Sequence, residues 1–306
     1  MRVIGVGTGQ RYDCSCPFIL NIMKTALRLL VFGLSILLFA GACKKTESDP
    51  VSVRKCLLSS SDYAITVGNF GSVTVNTGYT YNASRQLTKI TETTITPGLG
   101  TQVDSKTLTY FADRIEAKPT ALSITSGIVS EMYTLNGTVY ISKITTQQLI
   151  TGSTTPSTTT TSYEYNADGY LSKATDNSNG SYRIYEYKNG NLSTVKGYVQ
   201  NGNLDYTTTL TYYEDKSPPA AIQPGIDANN NLLVGFYTAG LLGKTTKNAL
   251  KQIVSGVNGE GTTDYTYTYD GDGNISMATA KSTIPTTTGT NMQTRMTTTK
   301  YTYSCQ

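Results

Sequence analysis

The chain has 306 residues, with 25 lysines and arginines against 21 aspartates and glutamates, 23 tyrosines, and neither histidine nor tryptophan. That length allows one large or two small domains around a sizeable core. The absence of histidine excludes a Ser-His-Asp triad, a Cys-His dyad and any histidine ligand for zinc or haem, and a formal charge of +4 is too small and dispersed to point to nucleic acid.

Residues 1–22 precede a good start at Met23 and read as a start assigned too early; their Cys14 and Cys16 have no further ligands nearby. Residues 23–42 have the order of an export signal. Lys24 and Arg28 supply the positive region, and residues 29–39 form an apolar run too short for a comfortable transmembrane helix. Ala40-Gly41-Ala42-Cys43 then resembles a bacterial lipobox, with Ala40 where that pattern prefers leucine. A lipoprotein signal peptidase would cut before Cys43, whose thiol would carry a diacylglycerol. The competing reading is a secretory signal cut near Ala42. Residues 43–51 follow as a lipidated polar tether. The expected location is the outer membrane, on its periplasmic or cell-surface side, with the membrane as partner through the anchor. Without Arg2, Arg11, Asp13, Lys24 and Arg28, the mature chain carries 21 basic and 20 acidic side chains, and such a surface does not steer towards charged partners.

Three cysteines remain after cleavage: Cys43, Cys56 and Cys305. With Cys43 lipidated, an exported protein has one pair left, and Cys56–Cys305 is the expected disulfide. It would bring both ends of the domain within about 7 Å at Cα. Two unpaired thiols are the alternative, and neither has a histidine to activate it.

Residues 52–306 read as a single β domain built on a repeat, Tyr-x-Tyr-[Asn/Asp], a short polar turn and an aliphatic residue. Copies start at Tyr79, Tyr163, Tyr185 and Tyr267; a degenerate one spans residues 132–144, and Tyr301-Thr302-Tyr303 is a half-unit. Tyrosine and threonine alternate with period two, so each strand gathers its tyrosines on one face. Asn-Gly and Asp-Gly steps supply tight reversals. Each copy is thus a hairpin, and the sequence predicts an all-β antiparallel meander of about 14 strands, curled into a barrel or half-barrel. Residues 217–248 break the rhythm. Pro218-Pro219 ends the preceding strand, and Leu232, Leu233, Phe236, Leu241 and Leu242 make an apolar excursion with a short helix, packing on the sheet or plugging one end.

These hairpins resemble YD repeats of the RHS type. The ordered set of Cys43-Lys44-Lys45, early Cys56, Tyr213-Glu214-Asp215-Lys216-Ser217-Pro218, Gly243-Lys244 and closing Tyr301-Thr302-Tyr303-Ser304-Cys305 is similar to a family of Bacteroidota lipoproteins. The resemblance implies a porin-like, many-stranded β fold of unknown function and no catalytic residues. Arg85 stands where many repeats place glycine, so the first turn departs from the pattern.

Two features suggest binding chemistry. Tyr265, Tyr267 and Tyr269 share one strand face and, if exposed, would form a platform for sugar rings; the bland alternative is that they build the core. Asp270, Asp272 and Asn274 place oxygens at alternate positions, as calcium requires, but Ile275 and Lys281 occupy the positions where a calcium loop needs glycine and glutamate. No other metal or cofactor is indicated. Glu164, Glu186, Asp205, Glu214 and Asp264 could supply the carboxylate pair of a glycoside hydrolase, yet nothing in their spacing selects two of them. An outer-membrane barrel would need lipid-facing apolar positions that threonine, serine, lysine and asparagine occupy here. The expected protein is therefore a non-enzymatic envelope lipoprotein with a structural or binding role. A glycan or an envelope protein is the candidate partner.

Overall fold

The structure is a computed structural model that describes residues 56–66, 72–120, 127–137, 140–150, 153–217, 236, 240–256, 261–285 and 292–305. The leader, Cys43 and the tether lie outside the described residues. The strands run in chain order as β1 (Leu57–Thr66), β2 (Ser72–Tyr81), β3 (Leu87–Thr96), β4 (Gly100–Tyr110), β5 (Arg114–Pro119), β6 (Ile128–Leu135), β7 (Ile141–Gln148) and β8 (Ser157–Tyr165). They continue as β9 (Leu171–Asp176), β10 (Tyr182–Lys188), β11 (Asn191–Tyr198), β12 (Leu204–Tyr212), β13 (Leu250–Gly256), β14 (Gly261–Tyr269), β15 (Ile275–Pro285) and β16 (Met292–Ser304). Each pairs antiparallel with its sequence neighbours, and β1 pairs with β16, closing the sheet into a barrel.

The barrel has sixteen strands where the repeat predicts about 14. Strands such as β5 pair without the Tyr-x-Tyr signature. Ile115 and Ala117 of β5 are buried while Arg114, Glu116 and Lys118 alternate with them, so amphipathicity alone carries the strand.

One local device recurs at the end of the barrel that holds Cys56. The Asn or Asp that ends the strand, after a tyrosine or, at Asn136, after Leu135, accepts a hydrogen bond from the backbone N–H four residues on. Asn82 takes Gln86 N–H (2.9 Å), Asn136 takes Tyr140 N–H (3.0 Å), Asn166 takes Tyr170 N–H (2.9 Å) and Asp270 takes Asn274 N–H (2.8 Å). A β-bulge falls next to each of these turns, at Thr80/Tyr81, Thr134/Leu135, Glu164/Tyr165 and Thr268/Tyr269. A bulge inserts one residue and re-aims those that follow. The next aliphatic side chain consequently points into the lumen: Leu87, Ile141, Leu171, Leu192, Leu250 and Ile275 are all buried. With Leu58 and Ile115 they form an apolar ring inside this end, each contributing about 1.5–3 kcal/mol of burial.

Tyrosine hydroxyls tie neighbouring hairpins to that ring. Tyr81 donates to the Leu58 carbonyl (3.0 Å), Tyr165 to Ile141 (2.6 Å) and Tyr267 to Leu250 (2.8 Å). Arg85 adopts the left-handed conformation (φ 63°) where Gly169 (φ 83°) and Gly273 (φ 82°) do so in other copies. The departure from glycine is thus one of residue type, not of backbone shape.

The excursion between β12 and β13 crosses this same end. Its described part is residues 213–217, 236 and 240–249; the remainder, on which the short-helix expectation mainly falls, lies outside the described residues. Backbone hydrogen bonds stitch it to successive hairpins. Ile141 N–H donates to Leu241 O (2.8 Å), Lys244 N–H to Gly169 O (2.8 Å) and Lys247 N–H to Gly190 O (2.9 Å). Phe236 is fully buried and packs edge-on against Tyr133, ring centroids 4.5 Å apart. Leu242, also fully buried, joins the same core cluster. The excursion therefore plugs the end it crosses. Cys56 and Cys305 are bonded at that end, with Cα atoms 4.1 Å apart, and fasten the β1–β16 seam.

Candidate functional site

Alternation and register assign each side chain to the wall's inner or outer face. In β2, buried Val75, Thr77 and Tyr79 face in, whereas Thr74, Asn76 and Thr80 face out. The cross-strand pairs carry this assignment around the barrel. The outer face presents Thr207, Thr209 and Thr211 of β12, Thr262, Asp264, Thr266 and Thr268 of β14, and Thr298, Lys300 and Thr302 of β16. A bilayer-spanning barrel carries an apolar band there. On this wall threonines predominate, with Ile95, Val103 and Met296 exposed singly among them.

The tyrosine ladder turns inward. Tyr267 packs against the core cluster containing Tyr133 and Phe236, and Tyr265 against the one containing Leu171 and Leu250. Burial raises the pKa of both hydroxyls. Tyr269, at the strand's end, is 36% exposed. The three residues do share a face, as alternation requires, but that face lines the lumen, so an outward platform on them is not available. Period two groups the tyrosines; only closure of the sheet decides which side becomes the interior.

The Asp270 loop is a turn. One Asp270 carboxylate oxygen accepts from the N–H groups of Asp272 (3.0 Å) and Asn274 (2.8 Å), and the side-chain amide of Asn274 also reaches the carboxylate. The oxygens offered to calcium are thus engaged by the loop itself. Among the described residues, no group of three or more Asp, Glu or Cys side chains is placed to hold a metal. The candidate carboxylates do not converge either. Glu164 pairs with Lys173 (3.4 Å), Glu186 with Lys196 (2.6 Å), and Asp264 accepts from Gln252 (2.9 Å), all on the outer face.

Away from the plug, the lumen changes character. Glu131, only 4% exposed, is ion-paired to Lys106 at 2.7 Å. Beside it lies a cavity of about 410 Å³, bounded by β6 to β12 and reaching the turns at the far end. Tyr163, Tyr185 and Tyr206 form its walls, and Arg183 and Asp176 supply charge. Arg183 forms no ion pair among the described residues; it lies beside Tyr185 and Tyr206. Burial pushes the Tyr185 hydroxyl up to about 12. The Ser178 hydroxyl holds the Asp176 carboxyl below the usual carboxylate range. Tyr206 lies across Gly197, where an added Cβ would come within 2.2 Å of the ring. On the outer face beside its mouth, Tyr182 and Tyr198 stack at 4.8 Å and 11°, with Lys173 over the Tyr182 ring.

Sequence reasoning did not find this cavity. Its residues are spread over seven strands, and only Ile144, Tyr163, Ala174 and Tyr185 fall within repeat copies. Gly197 is the one local signal, since a glycine inside a strand often marks a close approach.

A family model described as a domain of unknown function (DUF4595) with porin-like fold matches residues 101–279. A crystal structure of a porin-like protein from Bacteroides uniformis is 19% identical, with TM-score 0.63, and the match covers 81% of this chain and 96% of that one. Another, from Bacteroides vulgatus, is 11% identical with TM-score 0.46, covering 81% of this chain and 99% of that one. At such identities the likeness is one of fold alone. No curated protein matches the chain.

Proposed function

The chain belongs to the DUF4595 family of porin-like domains of unknown function, and on that premise we propose that it is a non-enzymatic envelope lipoprotein whose plugged barrel serves as a binding module. The observation that carries the reading is the polarity of the wall. Threonine, lysine and asparagine face outward while the inside is packed and sealed at one end, the reverse of a conducting pore. A water-facing barrel needs another means of staying at a membrane, and a diacylglycerol on Cys43 supplies it. The described barrel begins at Cys56, at the plugged end. Catalysis has less support. Glycoside hydrolysis needs one carboxyl kept protonated, and in the lumen Glu131 is committed to Lys106 while Asp176 is shifted the opposite way.

Metabolic palmitate labelling should mark the wild-type chain and miss Cys43→Ser. Protein added to planar bilayers should give no stepwise conductance. An unlabelled wild-type chain, or a steady conductance, overturns the reading.

A further inference from the structure

We infer that the cavity between β6 and β12 is a carbohydrate site that takes a neutral mono- or disaccharide, entering past the β9–β10 and β11–β12 turns. The inference rests on the binding-module reading and gives that module its site and ligand class.

Three properties of the cavity select the ligand. The first is balance of charge. Glu131 is neutralised by Lys106, and the lining carries both signs, Arg183 together with Asp176, and Asp205 at the rim. An anion would meet the carboxylates and a cation would meet the guanidinium, each desolvated at a cost. A neutral ligand meets neither penalty.

The second is the mixture of donors and acceptors. Every sugar hydroxyl both donates and accepts. The guanidinium of Arg183 only donates, the carboxylate of Asp176 only accepts, and the hydroxyls of Tyr163, Tyr185, Tyr206, Thr146 and Thr161 do both. An apolar ligand would displace water from this polar lining without replacing the hydrogen bonds that water makes.

The third is shape. Tyr163, Tyr185 and Tyr206 present flat rings in a space of about 410 Å³, near the lower end for small-ligand cavities. The C–H face of a pyranose packs on such rings while its edge hydroxyls reach the polar groups. Tyr206 holds its place because residue 197 has no side chain. Arg183 lines the cavity between Tyr185 and Tyr206, where its guanidinium can donate to a ligand's edge. The stacked Tyr182–Tyr198 pair stands on the outer face beside the mouth, where a longer glycan would emerge.

The test uses the full-length chain carrying Cys43→Ser, purified after export, and titrates it with glucose, galactose, mannose, N-acetylglucosamine and their β-linked disaccharides. Glucuronate and glucosamine serve as charged comparisons. The chain has no tryptophan, so tyrosine fluorescence and saturation-transfer NMR report directly on the walls. At least one neutral sugar should bind, at least tenfold more tightly than its charged counterpart. Tyr206→Ala and Arg183→Met should each weaken it at least tenfold, and Lys300→Ala, on the outer face, should leave it unchanged. Circular dichroism and the thermal midpoint identify variants that fail to fold, and Tyr206→Phe then replaces Tyr206→Ala with the loss confined to the hydroxyl. Binding untouched by these substitutions overturns the site. Preference for glucuronate or glucosamine overturns the ligand class. No binding by any sugar to the folded protein overturns the whole inference. None of these results bears on the envelope-lipoprotein reading, which the labelling and conductance measurements decide.

Discussion

Gly197 and Tyr206 make the tightest fit in the lumen wall, and one methyl group there has a calculable effect. Gly197→Ala drives a Cβ into the Tyr206 ring, so the ring must leave or the strands must part. Overpacking of this kind costs about 1–3 kcal/mol, measurable as a lowered urea midpoint. The lumenal tyrosines also predict an alkaline limit. Desolvation raises the hydroxyls of Tyr110, Tyr185 and Tyr303 to about 12 from an ordinary value of 10.0. Above pH 10 the unfolded chain releases these protons and the folded chain does not, so stability falls as pH rises from 10 through 12 and is intact below 10. Phenolate absorbance should show an exposed class titrating near 10 and a buried class appearing only as the barrel unfolds; one smooth titration with retained circular dichroism would refute this. Alternation revealed that Tyr265 and Tyr267 share a face, but not that the face is internal. Tyrosine and threonine suit either side of a sheet, and the deciding neighbours arrive from other strands.

Within each hairpin, turn and bulge act together. The Asn side chain fixes the reversal, the bulge rotates the next residue inward, and a tyrosine hydroxyl from a neighbouring hairpin satisfies a carbonyl beside the bulge. Removing the first part, Asn166→Ala, deletes one hydrogen bond and should cost about 0.5–1.5 kcal/mol. Removing the buried product, Leu171→Ala, should cost about 2–5 kcal/mol, because the closed sheet cannot collapse around the hole. Thermal unfolding of both variants checks the ranking, and equal losses would contradict it. These elements were largely legible, since Tyr-x-Tyr-Asn and the following aliphatic residue are contiguous in sequence. The Asp270 loop shows the limit of such reading. The oxygen spacing that suggests calcium is the spacing that lets one carboxylate bind its own backbone.

At the scale of the whole molecule, closure rests on the seam between β1 and β16. Replacing Cys56 and Cys305 together by serine should cost about 2–5 kcal/mol and hasten amide exchange in β1 and β16 ahead of the other strands. Exchange spread evenly over the barrel would mean that the seam has no special weakness. Closure was foreshadowed by the two terminal cysteines, and a plugging role by the apolar run after Pro218-Pro219. The cavity was not, because it exists only once seven strands stand side by side. The seam also sets an order in time. Its two halves are separated by 249 residues, so β1 is synthesised long before its second partner exists. Until β16 follows, one edge of β1 is a bare ladder of amide groups, open to pairing with another chain. Serine and aspartate on the outer face of β1 make that wait safer than an apolar strand would.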